Sequence, residues 1–387
     1  MTPPPATLPL PQVRAADSSR REEPSSSRSP VRVCHVSMTL KTGGLERLLV
    51  EFGKFHDSSR YDLRFVALAD LGPPAEDLRQ LGFMVSSLRF GTVGKLSVLR
   101  RLVSILRDEK VDIVHTHNTY AHFYGVLAAR WAGVRHVINT QHGRGCGPGW
   151  KNRALFRMAN RLSRRIVGVS NDATALCAGE DRGSAHKMTT IWNGIDSTRF
   201  AYHGPADAPV AISVARLSPE KDFSTLLRAV RIVKQQVPDF RLRMVGNGAE
   251  REKLESLTQE LELTSEVEFL GERSDVPQLL KQAGFFVSSS KTEGISLTVL
   301  EAMAVGLPVV TTAVGGNPEI VEEGATGHLV PSENPEALAA AIIAMCQKRH
   351  EWPAMGRTAR DRIEEHFEIR KMIRGYEAEY EKWVAGS

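Results

Sequence analysis

Residues 285–312 read FFVSSSKTEGISLTVLEAMAVGLPVVTT, and this stretch predicts the fold of the chain around it. The apolar run at 285–287 is short enough for a buried strand, and a polar loop follows it. Residues 297–304 have a helical pattern that Gly306 and Pro308 end. A second apolar run then completes a β-α-β unit, which is the building block of a parallel sheet.

Two carboxylates, Glu293 and Glu301, bracket the loop-to-helix junction of this unit. If every step between them were helical, they would be ~12 Å apart along the axis. Two carboxylates that act on one bond are expected at roughly 5–9.5 Å. The amides near Leu297 and Thr298 lie at a helix start, where unpaired N–H groups and the helix dipole attract phosphate. The pattern therefore indicates one elongated ligand, with a phosphate in the middle and hydroxyl-bearing groups at its ends.

The pattern E-G-I-S-L-T-V-L-E-A-M-A-x-G-x-P-V-V resembles the E-x7-E signature of retaining glycosyltransferases of family 4, which have the GT-B fold. The resemblance implies that Glu293 lies beside the donor sugar as a catalytic residue and that Glu301 binds the nucleotide ribose. An ordinary amphipathic helix can carry the same two carboxylates, so the whole pattern carries the resemblance. It also implies donor binding by the loop and helix start, which comprise Gly294, Ile295, Ser296, Leu297 and Thr298.

Length and composition indicate a globular protein of two or three domains, since 387 residues with 42% hydrophobic content can bury several cores. The four cysteines form no C-x-x-C pair, which argues against a disulfide framework and favours a reducing cytoplasm. The net charge of +5 comes without aromatic–basic interleaving, so we expect no nucleic-acid partner. We also expect no membrane-spanning helix, because no apolar run approaches the required length.

Residues 1–30 are rich in proline, serine and charge, and they predict a disordered tail, with a later true start as the alternative. From Val31 onward strands and helices alternate, which predicts α/β domains with parallel sheets. With the GT-B resemblance, we expect two doubly wound, Rossmann-like domains facing a cleft. We place the N-terminal, acceptor-side domain at 31–197, a linker at 198–208 and the nucleotide-sugar-binding domain at 209–365. The resemblance implies that residues 366–387 form a helix returning to the first domain.

A glycine pair, Gly43 and Gly44, lies between the first predicted strand and helix. Glycines there let backbone amides approach an anion closely, although a plain strand-to-helix turn has the same composition. The segment Gly43-Gly44-Leu45-Glu46 matches the G-G-x-E of family 4. The resemblance implies that both glycines bind the donor and that Gly44 lies near its phosphate.

Histidines cluster near two further strand ends. His115 and His117 alternate onto one face of a predicted strand, and His142 follows another strand. The resemblance implies that His117 is catalytic, at the reaction centre beside the donor sugar, and we expect His115 to be structural. The alternative is a metal clamp with His142 as third ligand, although acidic ligands are not clustered nearby. We place His142 and Arg144 on the acceptor side.

Two cations, Arg216 and Lys221, lie five residues apart in a predicted strand-to-helix loop and can grip one diphosphate from two sides. Residues 216–222 match the family pattern R-L-x-x-x-K-[GD], which implies that these cations neutralise the leaving diphosphate. The family also places the loop of Gly271 and Arg273 by the nucleobase. The chain contains no D-x-D, the carboxylate pair that usually holds a donor through Mg²⁺ or Mn²⁺. We therefore expect no metal and no other cofactor.

Residues 149–166 contain no acid and predict a basic amphipathic helix. Such a helix is compatible with an anionic membrane surface. A core-packing helix with a solvated basic face and a site for a phosphate-bearing acceptor are the alternatives. The cations are Lys151, Arg153, Arg157, Arg161, Arg164 and Arg165, and the predicted apolar stripe is Leu155, Met158, Leu162 and Ile166.

The function that the resemblance implies is transfer of a sugar from a nucleotide-diphosphate donor to an acceptor hydroxyl, with retention at the anomeric carbon. The acceptor would be a glycan, a lipid-linked molecule or a small molecule in cell-envelope, polysaccharide or glycolipid synthesis. We expect a cytoplasmic enzyme, peripheral on the inner membrane face if the basic helix binds lipid. The alternatives are a metal-dependent hydrolase using His115, His117 and His142, and a non-catalytic nucleotide-sugar binder.

Overall fold

The computed structural model describes residues 29–143 and 145–384. Residues 1–28, which make up most of the predicted tail, and Arg144, placed on the acceptor side, lie outside the described residues. Within the described ranges the strands form two parallel sheets with helices packed against them. None of the helices in these ranges is both long and apolar enough to cross a membrane.

The first sheet is built from β1 (Val31–Ser37), β2 (Tyr61–Ala67), β3 (Met84–Ser87), β4 (Ile113–His117), β5 (His136–Gln141), β6 (Arg165–Gly168) and β7 (Met188–Thr190). Their spatial order is β3-β2-β1-β4-β5-β6-β7, and neighbouring strands are parallel. Strand β4 is buried along its whole length, as expected for a parallel sheet covered on both faces. The accompanying helices are α1 (Gly44–Phe55), α2 (Pro73–Gln80), α3 (Lys95–Asp108), α4 (Asn118–Ala132), α5 (Trp150–Leu162) and α6 (Asn171–Glu180).

The second sheet is built from β8 (Val210–Val214), β9 (Arg241–Val245), β10 (Val267–Gly271), β11 (Phe285–Ser288), β12 (Val309–Thr312) and β13 (Gly327–Val330). Their order is β10-β9-β8-β11-β12-β13, again parallel. The opening stretch of the sequence is therefore β11, a helix and β12, as predicted. The accompanying helices are α7 (Phe223–Gln236), α8 (Arg251–Glu260), α9 (Val276–Leu280), α10 (Leu297–Val305), α11 (Asn317–Ile320), α12 (Pro335–Gln347) and α13 (Trp352–His366).

Each sheet has a point at which the strand order reverses, beside β1 in the first and beside β8 in the second. In doubly wound sheets ligands bind at such points, outside the carboxyl ends of the strands. Here the two carboxyl edges approach each other. Gly294, after β11, lies against the backbone of His142, after β5, so closely that a Cβ on Gly294 would be 2.2 Å from the His142 carbonyl oxygen. The carboxyl edges of the two sheets therefore face each other across a cleft.

The final helix, α14 (Ile369–Val384), returns to the first domain, as the resemblance implied. The chain crosses next to Ile195, whose backbone N–H donates to the carbonyl oxygen of Phe367 at 2.8 Å. Tyr376 and Tyr380 of α14 are buried in the apolar core of the first sheet. The crossing helix thereby ties the end of the second domain to the strands that carry the histidines.

Helix α5 differs from the prediction in its length and in its buried face. It ends at Leu162, and Ile166 belongs to β6 instead. The buried residues of its apolar face are Phe156 and Ala159, whereas Met158 and Leu162 of the predicted stripe are 44% and 49% exposed. The predicted stripe was wrong because Phe156, rather than Met158 or Leu162, packs against His122 of α4, and neighbouring positions on a helix point about 100° apart. Helix α5 therefore presents apolar as well as basic side chains to solvent.

Candidate active site

Lys221 and Glu293 form an ion pair at the carboxyl edge of the second sheet. The Nζ of Lys221 lies 2.5 Å from Oε1 of Glu293, and Ser290 donates its hydroxyl to the same oxygen at 2.7 Å. The two side chains are 25% and 10% exposed, so the pair is shielded yet reachable from the cleft. The loops after the adjacent strands β8 and β11 bring the residues together. The result is a fixed cation beside a carboxylate of fixed orientation.

Arg216 extends from the second domain toward the glycine loop of the first. Its Nη2 lies 3.6 Å from the position that a Cβ on Gly43 would occupy. A Cβ on Gly44, the first residue of α1, would lie 3.2 Å from Cδ1 of Leu297, the first residue of α10. Two helix starts and a guanidinium thus converge across the cleft. Unpaired N–H groups at helix starts and a nearby Arg are the groups that bind a diphosphate.

Glu46 shares this corner of the cleft and lies close to Gly43. A Cβ on Gly43 would lie 2.3 Å from Oε2 of Glu46, so a side chain there would displace the carboxylate. Thr39 donates its hydroxyl to Oε1 of Glu46 at 3.0 Å. Burial raises the pKa of Glu46, and its hydrogen bonds and the charge of Arg216 oppose that rise. The carboxylate therefore lies within the field of the cation expected to hold phosphate.

Glu301 lies on α10 and is only 7% exposed, which the sequence did not indicate. Burial raises its pKa to about 7, although the charges of Arg47 and Arg199 act in the opposite direction. Because α10 begins at Leu297, the chain from Glu293 to Glu301 is only partly helical. Glu301 is thus a buried group that titrates near neutrality, whereas Glu293 is held by Lys221.

The other predicted donor-binding residues fall into two groups. Ser296 precedes α10, and its hydroxyl lies 3.3 Å from that of Thr298, beside the buried side chain of Ile295. These residues surround the helix start that approaches Gly44. Gly271 has a φ of +70° at the end of β10, a conformation that favours glycine. The exposed Arg273 pairs with Asp275 in its own loop at 2.6 Å, so its contacts do not join the Lys221 cluster.

The histidines come from neighbouring strands of the first sheet and meet below the cleft. Nε2 of His117 lies 3.1 Å from Nδ1 of His35 in β1, and Nδ1 of His117 lies 3.0 Å from Nε2 of His142. Sequence reasoning missed His35, since nothing in its local pattern indicates that β1 and β4 are neighbours. His115 contacts the hydroxyls of Tyr380 at 2.6 Å and Thr140 at 2.8 Å. This buried position agrees with the structural role expected for His115.

The histidine geometry also bears on the metal alternative. Among the described residues, the group whose ligand atoms lie close enough to hold a metal ion is His35, His115 and His117, within 4.8 Å of one another, rather than the predicted set with His142. Both ring nitrogens of His115 are engaged by hydroxyl groups. A metal would have to displace those bonds in a buried core, so the metal-dependent hydrolase is not favoured.

Glu319 joins the two domains through a contact that sequence reasoning missed. From α11 in the second domain, its carboxylate accepts the backbone N–H groups of Asn171 at 2.9 Å and Asp172 at 3.0 Å, at the start of α6. It also accepts the indole N–H of Trp192 at 2.8 Å. Gly315, shortly before Glu319, packs against the loop that carries Glu293, since a Cβ on Gly315 would be 1.9 Å from the carbonyl oxygen of Glu293. Glu319 therefore holds the first domain against that loop.

Two parallel-sheet domains whose facing edges gather cations, helix starts and an oriented carboxylate are the arrangement of the GT-B fold. Two family profiles match adjacent parts of the chain. One, described as Glycosyltransferase Family 4, matches residues 42–199, and the other, Glycosyl transferases group 1, matches residues 195–362. The chain belongs to the glycosyltransferases of family 4, and the non-catalytic binder is not favoured.

Sequence relatives and a similar solved structure agree with this family assignment. The chain is 26% identical over 378 residues to the Escherichia coli UDP-Gal:alpha-D-GlcNAc-diphosphoundecaprenol alpha-1,3-galactosyltransferase, covering 90% of this chain and 96% of the relative. It is 26% identical over 303 residues to the Bacillus anthracis N-acetyl-alpha-D-glucosaminyl L-malate synthase, covering 74% and 78%. In fold it resembles Anabaena HepE in complex with UDP, with a TM-score of 0.80, 21% identity and coverage of 91% and 100%.

Proposed function

We propose that the protein is a retaining, metal-independent glycosyltransferase that moves a hexosyl group from a UDP-sugar to a hydroxyl of a lipid-linked acceptor. The observation that carries the proposal is the Lys221–Glu293 pair, facing Arg216 and the glycine loop across one cleft. A relative uses UDP-Gal and a diphosphoundecaprenol acceptor, according to its name, and similar solved structures contain UDP and UDP-glucose. These names support the choice of donor base and acceptor class.

The donor side of this cleft supports departure of a nucleoside diphosphate without a metal. Arg216, Lys221 and the amides near Gly44, Leu297 and Thr298 supply positive charge and N–H donors where the leaving oxygens gain negative charge. Preorganised groups of this kind stabilise such charge at little reorganisation cost. The chain also lacks D-x-D, the motif on which metal-dependent donors usually rely. Gly271 and Arg273 would border the nucleobase, and Glu301 the ribose.

The surroundings of Glu293 support retention without a covalent intermediate. Its Oε1 accepts from Lys221 and Ser290, and these two hydrogen bonds, one of them charge-assisted, draw electron density from the carboxylate and reduce its nucleophilicity. A carboxylate so engaged can still stabilise positive charge that develops on the sugar. The acceptor hydroxyl would attack from the face that the diphosphate leaves, with His142 bounding the sugar on the first-domain side and His117 behind it.

Helix α5 supports an acceptor presented at an anionic membrane surface, on the cytoplasmic side where nucleotide sugars are available. Trp150, Met158 and Leu162 are 74%, 44% and 49% exposed on a helix that carries basic side chains. Apolar side chains that insert at the headgroup level and adjacent Lys and Arg are the features of helices that lie in an interface. At the end of α5 a depression is lined by the basic side chains of Arg161, Arg164, Arg165, His186 and Lys187.

Turnover with defined substrates tests the chemistry. The purified protein is incubated with UDP-galactose, UDP-glucose or GDP-mannose and with N-acetylglucosaminyl diphosphoundecaprenol, in EDTA or in Mg²⁺. We expect turnover with a UDP-sugar in EDTA, and an α-linked product by NMR of its anomeric proton. A β-linked product, or activity that EDTA abolishes and Mg²⁺ restores, would contradict the proposal.

Vesicle sedimentation tests the membrane surface separately. We expect the protein to pellet with phosphatidylglycerol vesicles and to remain in the supernatant with phosphatidylcholine vesicles. Trp150→Ala should weaken the binding severalfold, because it removes the most exposed aromatic anchor of α5. Trp131→Ala is the matched control, since Trp131 is 49% exposed on α4. Equal losses from both substitutions would contradict docking through α5.

A further inference from the structure

We propose that His35, His117 and His142 form one polarised hydrogen-bonded chain in which each imidazole carries its proton on Nδ1. The Nδ1–H of His142 is then the donor that the first domain presents to a hydroxyl oxygen of the bound sugar. Only the identity of that ligand rests on the proposed function. In this arrangement His142 contacts the substrate, and His35 and His117 are positioning residues.

The distances leave His117 without a free ring nitrogen. Its Nε2 is 3.1 Å from Nδ1 of His35, and its Nδ1 is 3.0 Å from Nε2 of His142. Each of these contacts needs one proton between two nitrogens, since a neutral imidazole has one N–H and one lone pair. The ring of His117 can meet a ligand only by breaking one of the two bonds. The side chain predicted to be at the reaction centre is thus enclosed by its neighbours.

The direction of the chain follows from His35. Its Nε2 is buried and has no hydrogen-bond partner among the described residues. The rings of Phe52 and Phe65 lie with their centroids 4.9 and 5.2 Å from that of His35. A buried N–H without an acceptor is rarer and more costly than a buried lone pair, so the proton lies on Nδ1. His35 then donates to His117, His117 donates to His142, and the last proton lies on Nδ1 of His142.

The three rings are neutral, as this reasoning requires. Burial lowers the pKa of His35 and of His142 to about 3, and it lowers the pKa of His117 well below its usual value. At physiological pH each ring therefore carries a single proton. A neutral N–H donor can hold a sugar hydroxyl without adding a positive charge beside the developing oxocarbenium-like centre.

The free end of the row of hydrogen-bonded histidines, Nδ1 of His142, lies at the cleft. Nδ1 of His142 makes no hydrogen bond within the described residues, and its ring is partly exposed, so this nitrogen reaches solvent. The backbone N–H of His142 donates to Oδ1 of Asn118 at 3.0 Å. Asn118 has a φ of +63°, a left-handed conformation that costs energy in a residue other than glycine and often marks functional sites. On its other side the His142 carbonyl oxygen abuts Gly294, next to Glu293.

Imidazole NMR on the full chain tests the proposal without relying on activity. The protein is labelled with ¹⁵N-histidine, and the ring nitrogens of the three residues are assigned by single substitution. We expect all three to be neutral Nδ1–H tautomers between pH 6 and 8, and UDP-galactose or UDP-glucose to shift the Nδ1 signal of His142 most. An Nε2–H tautomer at His35 or His142 would overturn the proposal. So would a bound UDP-sugar that leaves the His142 signal unchanged. If the predicted tautomers are found in a protein that binds no UDP-sugar, the result would support the hydrogen-bonded row of histidines and refute the proposed function.

Substitution of His35 tests its positioning role. His35→Phe removes the donor and should lower kcat about 10- to 100-fold, because the rings beyond it lose their orientation, with little change in KM for the UDP-sugar. His35→Asn restores an N–H donor near the Nδ1 position and should recover most of the rate. His122→Phe is the control, since His122 is equally buried but is hydrogen-bonded to Ser163 and takes no part in the row of three histidines. Equal losses from the Phe and Asn variants would overturn the positioning role.

Discussion

The two walls of the cleft differ in charge. The second domain contributes ionised groups, Arg216, Lys221 and Glu293, at the edge where β8 and β11 end. The first domain contributes neutral imidazoles at the edge where β4 and β5 end, held in place by strand neighbours and by α14. A diphosphate needs fixed positive charge, whereas a sugar that becomes cationic needs oriented donors of no net charge. We therefore propose that the charged wall supplies the cations for the leaving diphosphate and that the neutral wall supplies the hydrogen-bond donors for the sugar hydroxyls.

Removal of the cation from the charged wall should have the largest effect. Lys221→Ala deletes a charge beside the diphosphate and releases Glu293 from its ion pair. We expect kcat to fall about 10²- to 10³-fold, as for loss of one preorganised electrostatic donor. The control is Lys291→Ala, because Lys291 lies in the neighbouring loop but pairs with the exposed Glu333. Steady-state kinetics measures both, and a loss no larger than that of the control would place the diphosphate elsewhere.

A change in the spacing of the two walls should have the next largest effect. Gly294→Ala introduces a Cβ 2.2 Å from the His142 carbonyl oxygen, so the walls must move apart. We expect kcat to fall about 10- to 100-fold, since small displacements of reacting groups have effects of that size. Gly179→Ala, at a position with open space on α6, should leave kcat unchanged. Normal turnover by the Gly294 variant would show that the walls need not meet at this point.

Loss of the hydrogen bonds that Glu319 accepts from the first domain should have a moderate effect. Glu319→Ala leaves the N–H groups of Asn171, Asp172 and Trp192 without their present acceptor. We expect kcat/KM to fall about tenfold, in line with the loss of charge-assisted hydrogen bonds. Glu319→Gln keeps one oxygen as an acceptor, so its kcat/KM should lie between those of Glu319→Ala and the wild type. If both variants equal the wild type in thermal stability by calorimetry and in kcat/KM, the hydrogen bonds of Glu319 do not align the walls.

The smallest effect concerns Glu301 and depends on pH. Its pKa of about 7 lies above the unfolded value, so its ionisation opposes folding, and stability falls as pH rises from about 4.5 to 7. Glu301→Gln should therefore be more stable than the wild type above pH 7, by about 2–3 kcal/mol, and equal near pH 4. The same variant should bind UDP-glucose about fivefold more weakly at pH 8, with the difference vanishing below pH 6.

Thermal unfolding and titration calorimetry across this pH range separate the two consequences. A wild-type affinity that does not rise with pH would mean that the carboxylate of Glu301 does not accept the ribose hydroxyls. A stability difference that is independent of pH would mean that its ionisation is not linked to folding.

Local patterns predicted the parts of the molecule that depend on short stretches of chain. The β-α-β unit around Glu293, the glycine loop and the cations at 216 and 221 each lie within one strand-to-helix connection. The structural role of His115 agrees with its contacts to Tyr380 and Thr140. The assigned roles of the donor-site residues stay predictions until the variants above are measured.

Features that depend on packing between distant elements were not predictable in this way. His35 meets His117 only because β1 and β4 are neighbours in the sheet. Glu319 reaches α6 only because the domains face each other. Glu301 is buried near Arg47 of α1 and Arg199, which lie far from it in the sequence, and the buried face of α5 is the one whose Phe156 packs against α4. Hydrophobic periodicity describes one element at a time, so it does not contain these distances.

Metal-free binding of a UDP-sugar tests the division between the two walls most directly. Titration calorimetry in EDTA should show that UDP-galactose or UDP-glucose binds the wild-type protein, that added Mg²⁺ changes the affinity little, and that Lys221→Ala weakens it at least tenfold. Binding that requires Mg²⁺, or that survives the loss of Lys221 unchanged, would contradict a donor site built from the cations of the second domain.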